Sequence, residues 1–65
     1  MKTEERQHGK YLLSGVYNQP MWQIQIVPTE RGLPTRSDEL PPIQHPDKEV
    51  AFGMAREAAD ELNSN

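Results

Sequence analysis

Met21-Trp22-Gln23-Ile24-Gln25-Ile26-Val27 alternates apolar and polar side chains almost without interruption. A strand repeats every two residues, so Trp22, Ile24 and Ile26 share one face and Gln23, Gln25 and Val27 the other. This is the pattern of an antiparallel sheet with one packed and one solvated face. Burying an Ile side chain contributes roughly 1.5–3 kcal/mol, and Trp22 adds a large apolar area with an N–H that needs a partner. These three residues are expected to carry the core, with Trp22→Ala costing about 3–5 kcal/mol.

Towards the N-terminus, Asn18-Gln19-Pro20 is a turn candidate, because Asn tolerates left-handed geometry and Pro lacks a ladder donor. So short a turn makes the preceding run, Lys10 to Tyr17, a hairpin neighbour. In that run Tyr11, Leu13 and Tyr17 share one face, and Leu12, Ser14 and Val16 the other. Both faces carry apolar groups, so the inward face stays open. Gly15 weakens the strand interior and suggests a bulge. Residues 1–9 are polar and read as a flexible leader ending at Gly9.

Towards the C-terminus, residues 28–42 form a long loop punctuated by Gly32, Pro34, Pro41 and Pro42. A structureless loop of that length is uncommon in a compact domain. Either it is a mobile functional loop, or a turn at Arg31–Thr35 precedes a third strand at Leu40–His45, which Pro41-Pro42 would confine to an edge. A helix then starts with Asp47 as N-cap or Pro46 in its first position. Val50, Ala51, Met54, Ala55, Ala58, Ala59 and Leu62 occupy one half of its wheel, and Arg56, Glu57, Asp60 and Glu61 lie largely opposite. Phe52 falls at the margin of the apolar arc. The elements predict one α+β domain over residues 10–63, with residues 64–65 frayed. It is a small antiparallel sheet of two or three strands, in ββ(β)α order, packed against one C-terminal helix.

Sixty-five residues make one domain at most, and so small a domain buries only roughly 60% of its unfolded surface. The chain has no cysteine, which removes disulfides, thiolate zinc sites and cysteine nucleophiles together. No stretch resembles a signal peptide or a membrane span, so a cytoplasmic location is expected. The net charge of −3 concentrates in residues 47–65, with two basic and five acidic groups. Clustered Lys and Arg, which bind phosphate backbones, are missing.

His8 and His45 are the only histidines. His45 with Asp47 or Glu49 could begin a metal site, but no second ligand has a diagnostic spacing. The serines lack a nucleophile elbow, and the four glycines are too dispersed for a phosphate loop. An enzyme, a cofactor and a small-molecule ligand are therefore not expected. Tyr11, Tyr17 and Trp22 near Lys10 could form an aromatic and basic nucleic-acid face, but ordinary strand aromatics are the favoured account, because the summed charge is wrong for an electrostatic footprint. Phe52 could join exposed strand residues in an apolar patch of the kind that marks a partner surface.

The strand pair ending Trp22-Gln23-Ile24-Gln25-Ile26 is followed by Asp47-Lys48-Glu49-Val50-Ala51 and Met54-Ala55-Arg56-Glu57-Ala58-Ala59-Asp60-Glu61-Leu62. This order, over about 50 residues, resembles short bacterial sheet-plus-helix proteins and the N-terminal part of HicB-type antitoxins. The resemblance implies a sheet with one packed helix and a small toxin protein as partner. The chain differs from that family in having Val27-Pro28-Thr29-Glu30 where a Pro-Asp-x-Pro-Gly turn is usual. The expected function is a non-enzymatic protein-interaction module acting through a sheet edge or an exposed apolar patch. Its partner would be another protein or, as a homodimer, a second copy. Tyr11, Tyr17, Val27, Phe52, Arg31 and Arg36 are the candidate contacts. The alternatives are a nucleic-acid-binding module using the outer sheet face, with Lys10, Arg31 and Arg36 as contacts, and a phage or mobile-element accessory protein that presents the acidic helix face to a host factor.

Overall fold

In a computed structural model that describes residues 1–64, four strands precede one helix. They are β1 (Thr3–His8), β2 (Tyr11–Asn18), β3 (Met21–Pro28) and β4 (Ile43–His45), followed by α1 (Lys48–Asn63). The sheet is antiparallel throughout, in the order β1-β2-β3-β4. The α+β class and the single C-terminal helix agree with expectation, but the strand count is four rather than two or three.

The stretch expected as a leader contains β1. All six of its residues pair with β2, from Thr3↔Val16 to His8↔Tyr11. Gly9, with φ of 61°, opens the two-residue turn between the strands, and a positive φ at the first central position is what a type II′ hairpin loop requires. β2 and β3 then run in register from Tyr11↔Pro28 to Asn18↔Met21, with no bulge at Gly15. Gly15 has a packing role instead. A Cβ there would lie 2.7 Å from Cζ of Phe52 and 2.9 Å from Cδ1 of Ile24. The missing side chain is the seat of the Phe52 ring.

Asp47 is the N-cap of α1. Its Oδ1 accepts from the N–H groups of Glu49 (2.9 Å) and Val50 (3.3 Å), satisfying two donors that the first turn would leave unpaired. At the other end the Ser64 N–H donates to the carbonyls of Asp60 and Glu61. Asn65, the other residue expected to fray, lies outside the described residues. α1 packs over β2, β3 and β4. Ala51, Ala55 and Ala59 let it approach closely, and Phe52 fills the space beneath.

The core consists of Tyr11, Leu13, Ile24, Ile43, Ala51, Phe52, Ala55 and Ala59. Tyr11, Leu13 and Phe52 are its largest fully enclosed side chains, each at most 1% exposed. Trp22 and Ile26 are only half-buried and pack against it, so of the three residues expected to carry the core only Ile24 lies within it. The apolar arc of the helix is also rotated from its expected position. Val50 and Met54 are exposed, while Phe52 is fully enclosed. The Tyr11 hydroxyl donates to the Pro34 carbonyl, and Leu33 packs against the core. Residues 29–42 hold no strand or helix, yet these two contacts tether their first part to the core.

The helix-facing side chains of β1 are polar, and ion pairs and a His–Asp contact join them to α1. Glu4 accepts from Lys48 Nζ (3.0 Å) and from Arg6 Nε (2.6 Å). Arg6 holds the Glu49 carboxylate with both terminal nitrogens (3.0 and 2.7 Å), and its guanidinium lies 4.2 Å above the centre of the Phe52 ring. His8 Nε2 is 2.8 Å from Asp60 Oδ1. Lys48 and then Arg6 hold the Glu4 carboxyl below its ordinary pKa, and Arg6 does the same for Glu49. Ion pairs thus take the place of apolar packing along this edge.

Candidate functional site

Two of the residues expected at an interaction surface are core residues. Tyr11 and Phe52 are both fully enclosed, so neither can contact a partner without unfolding. Their aromatic area goes to the helix–sheet layer, where the Gly15 gap and the Pro34 carbonyl receive them. Tyr17 is half-buried and stacks obliquely on Trp22, with ring centroids 5.5 Å apart. Lys2 and Lys48 lie over these rings, at 5.6 Å from Tyr17 and 5.7 Å from Trp22. Lys10 and Arg31 are exposed in separate turns. Among the candidate residues, Val27 and Arg36 come together, at the border of one open cleft.

That cleft, about 640 Å³, runs along the outer face and free edge of β3. Its wall on one side is Ser14, Val16 and the strand residues Gln23 to Pro28. On the other it is Arg36, Ser37, Asp38, Leu40 and Pro42, ending at Ile43. The second wall is a tight turn in which Leu40 N–H donates to the Ser37 carbonyl (3.3 Å) and Glu39 N–H to Ser37 Oγ (3.2 Å). Only Arg36 and Asp38 bring charge to the lining, and they are of opposite sign.

Beyond Ile24 the outward main chain of β3 is unpaired along this cleft. β4 covers only Trp22, Gln23 and Ile24, through His45, Gln44 and Ile43. The orientation of the remaining groups follows from two hydrogen bonds. Tyr17 N–H donates to Lys2 O (2.9 Å), so Tyr17 faces β1, while Thr29 N–H donates to Lys10 O (3.0 Å) and so faces β2. In an antiparallel ladder successive residues turn their N–H and C=O to alternate sides. Trp22, opposite Tyr17, therefore turns away from β2, and with it Ile24, Ile26 and Pro28. Ile24 meets β4, but Ile26 meets the cleft. Among the described residues no backbone hydrogen bond joins Gln25–Pro28 to the segment 29–42. The open edge thus offers the N–H and C=O of Ile26 and the C=O of Pro28.

A sheet edge was expected from the sequence, but not this opening at Ile26. The signal for it was Pro41-Pro42, which limits the length of β4, although the register that gives the two prolines their positions depends on the fold. The two histidines have structural partners. His8 pairs with Asp60, and His45 Nδ1 accepts from Asp47 N–H (2.9 Å) at the junction of β4 and α1. Among the described residues no group of three or more His, Asp or Glu could hold a metal ion. No helix among them is long and apolar enough to cross a membrane. No protein-family model matches the chain, and no curated protein or solved structure matches it.

Proposed function

We propose that this chain is a small, non-enzymatic, cytoplasmic protein of bacterial type that binds another protein through the open half of β3. The carrying observation is the unpaired N–H and C=O of Ile26 beside a cleft with little net charge. Unpaired strand edges are templates for pairing, and strand addition is a recurring mode of recognition. The resemblance to the sheet-plus-helix domain of HicB-type antitoxins, whose partner is a small protein, supports the same class. The test is a photo-crosslinking side chain placed at Val27, beside the cleft, or at Glu57, on the exposed helix face, in the full chain in cells. Protease-sensitive adducts are expected from the Val27 position and not from Glu57. Nuclease-sensitive adducts, or none, would overturn the proposal.

A second reading, a single-stranded nucleic-acid contact, draws on the Tyr17–Trp22 pair with its two lysines. Base stacking on aromatic side chains beside cations is how such strands are held without sequence preference. Glu4 neutralises Lys48 there, which makes this the weaker reading. A salt-dependent mobility shift that Trp22→Ala removes would revive it.

A further inference from the structure

We infer that the occupant of the open β3 edge is a short extended segment of another protein, uncharged and free of proline at its centre, seated where Pro41-Pro42 keep β4 from extending. The inference rests on the protein-binding proposal above and names the chemistry of the partner. Continued by two residues, the β3–β4 register would set Pro42 opposite Gln25 and Pro41 opposite Ile26. A residue opposite Ile26 must return an N–H to the Ile26 carbonyl, and proline has none. The chain's own strand therefore stops at Ile43, and Ile26 keeps both its groups free.

An added strand faces defined demands. Opposite Ile26 it needs a residue with its own N–H, which excludes proline. The side chain of that residue falls on the helix-facing side, next to half-buried Ile26 and near buried Ile43. A charge there would lose water without gaining a partner, so an apolar residue is favoured. Its two neighbours point to the outer face, against Gln25 and Val27, with Leu40 across the cleft. Small polar or β-branched residues suit that surface. Arg36 and Asp38 offset each other, so the cleft asks for no net charge in its ligand. Gln25–Pro28 spans about 13 Å at roughly 3.3 Å per residue, which sets the contact at four or five residues.

The test selects binders to the full chain from a displayed library of random heptapeptides. One selected peptide is then followed by amide NMR. Selected sequences are expected to share an uncharged, proline-free centre, and the peptide should move the Ile26 amide resonance and slow its hydrogen exchange. Two variants probe the edge itself. In Pro41→Thr/Pro42→Val, β4 can extend over Ile26, and affinity should fall at least about tenfold where that amide becomes protected. In a chemically synthesised chain in which an ester replaces the Ile26 amide, the donor is gone and the side chain stays. Affinity should then fall roughly three- to tenfold, the range of one net hydrogen bond. Unchanged binding by the ester chain, or peptide-induced shifts centred on Tyr17 and Trp22 or on Val50 and Met54, would overturn the edge assignment and leave the protein-binding proposal standing. Self-association that the ester chain loses, with no heptapeptide selected, would make a second copy the occupant and overturn the peptide. Failure of the Val27 crosslink in cells would remove the broader proposal as well.

Discussion

Along β1 every residue from Thr3 to His8 is paired to β2, and side chains tie it to α1, Glu4 and Arg6 by ion pairs and His8 by its contact with Asp60. Along β3 the pairing to β4 ends at Ile24, and the next outward-facing main chain, at Ile26, opens on a cleft. One edge is flanked by charged side chains and the other is left half-built. Sheet edges invite pairing with foreign strands, and charged side chains are a common defence. On β1, Glu5 adds to that defence, because two copies pairing antiparallel about it would set like charges opposite each other. The open half of β3 carries no charged residue at all. The contrast shows that exposure of an edge is not enough to define a site. The outward main chain of β1, at Thr3, Glu5 and Gln7, is unpaired as well, so what distinguishes the β3 edge is the neutral cleft beside it.

Both edges rest on Phe52, so its loss should be the largest single effect. The ring supports Arg6 on one side and fills the Gly15 gap beside Ile24 on the other. Phe52→Ala should cost about 3–5 kcal/mol in urea unfolding, enough to unfold a domain of this size. A variant that kept its native midpoint would break the comparison at its root. Gly15→Val should cost about 2–3 kcal/mol by overpacking against the same ring, and combining it with Phe52→Leu should recover part of the loss. Strict additivity of the two would mean that ring and glycine do not meet.

Arg6→Ala separates the edges. It removes the bidentate pair with Glu49, the pair with Glu4 and the cover over Phe52. Exposed ion pairs contribute about 0–1 kcal/mol each and a cation over an aromatic face about 0.5–1 kcal/mol. The expected loss is about 1–2 kcal/mol, shrinking in high salt and confined to β1 in an exchange map. An equal loss of protection in β3 and β4 would show that the edges are not independent.

Acid should loosen the same edge. Glu4, held low chiefly by Lys48, and Glu49, held low by Arg6, both titrate below their unfolded values. Their contribution is therefore complete above the unfolded glutamate pKa of about 4.3, and is lost as pH falls through the lower folded-state values. Amides of β1 should lose protection in that window before those of β2 and β3. Loss in the reverse order would contradict the charge-held edge.

How far the sequence reveals each part depends on what holds that part. β3 is plain because Trp22, Ile24 and Ile26 alternate with glutamines. β1 is hidden because the side chains it turns inward are Glu4, Arg6 and His8, and apolar periodicity is blind to a strand packed through ion pairs. The Gly9-Lys10 pair between two extended runs was the available signal for that hairpin. β2 remains ambiguous until Gly15 is seen as a seat for Phe52, a contact across 37 positions of sequence. The helix was recognised but its arc misplaced, because Val50 and Met54 outweigh a lone Phe52 on a wheel. At the candidate site, Val27 and Arg36 were among the residues chosen, yet the open main chain at Ile26 was out of reach. It follows from the pairing of two strands and from where that pairing sets Pro41, and neither is local.

Residue-resolved amide hydrogen exchange of the free chain at neutral pH tests the difference between the edges most directly. The N–H of Arg6 faces β2 and should be protected, increasingly weakly as salt is added. The N–H of Ile24 faces β4 and should be protected whatever the salt. Ile26 N–H should exchange at least about a hundredfold faster than Ile24, near the rate of an open site. Protection of Ile26 equal to that of Ile24 would mean that the β3 edge is already closed, and the binding site placed there would not exist.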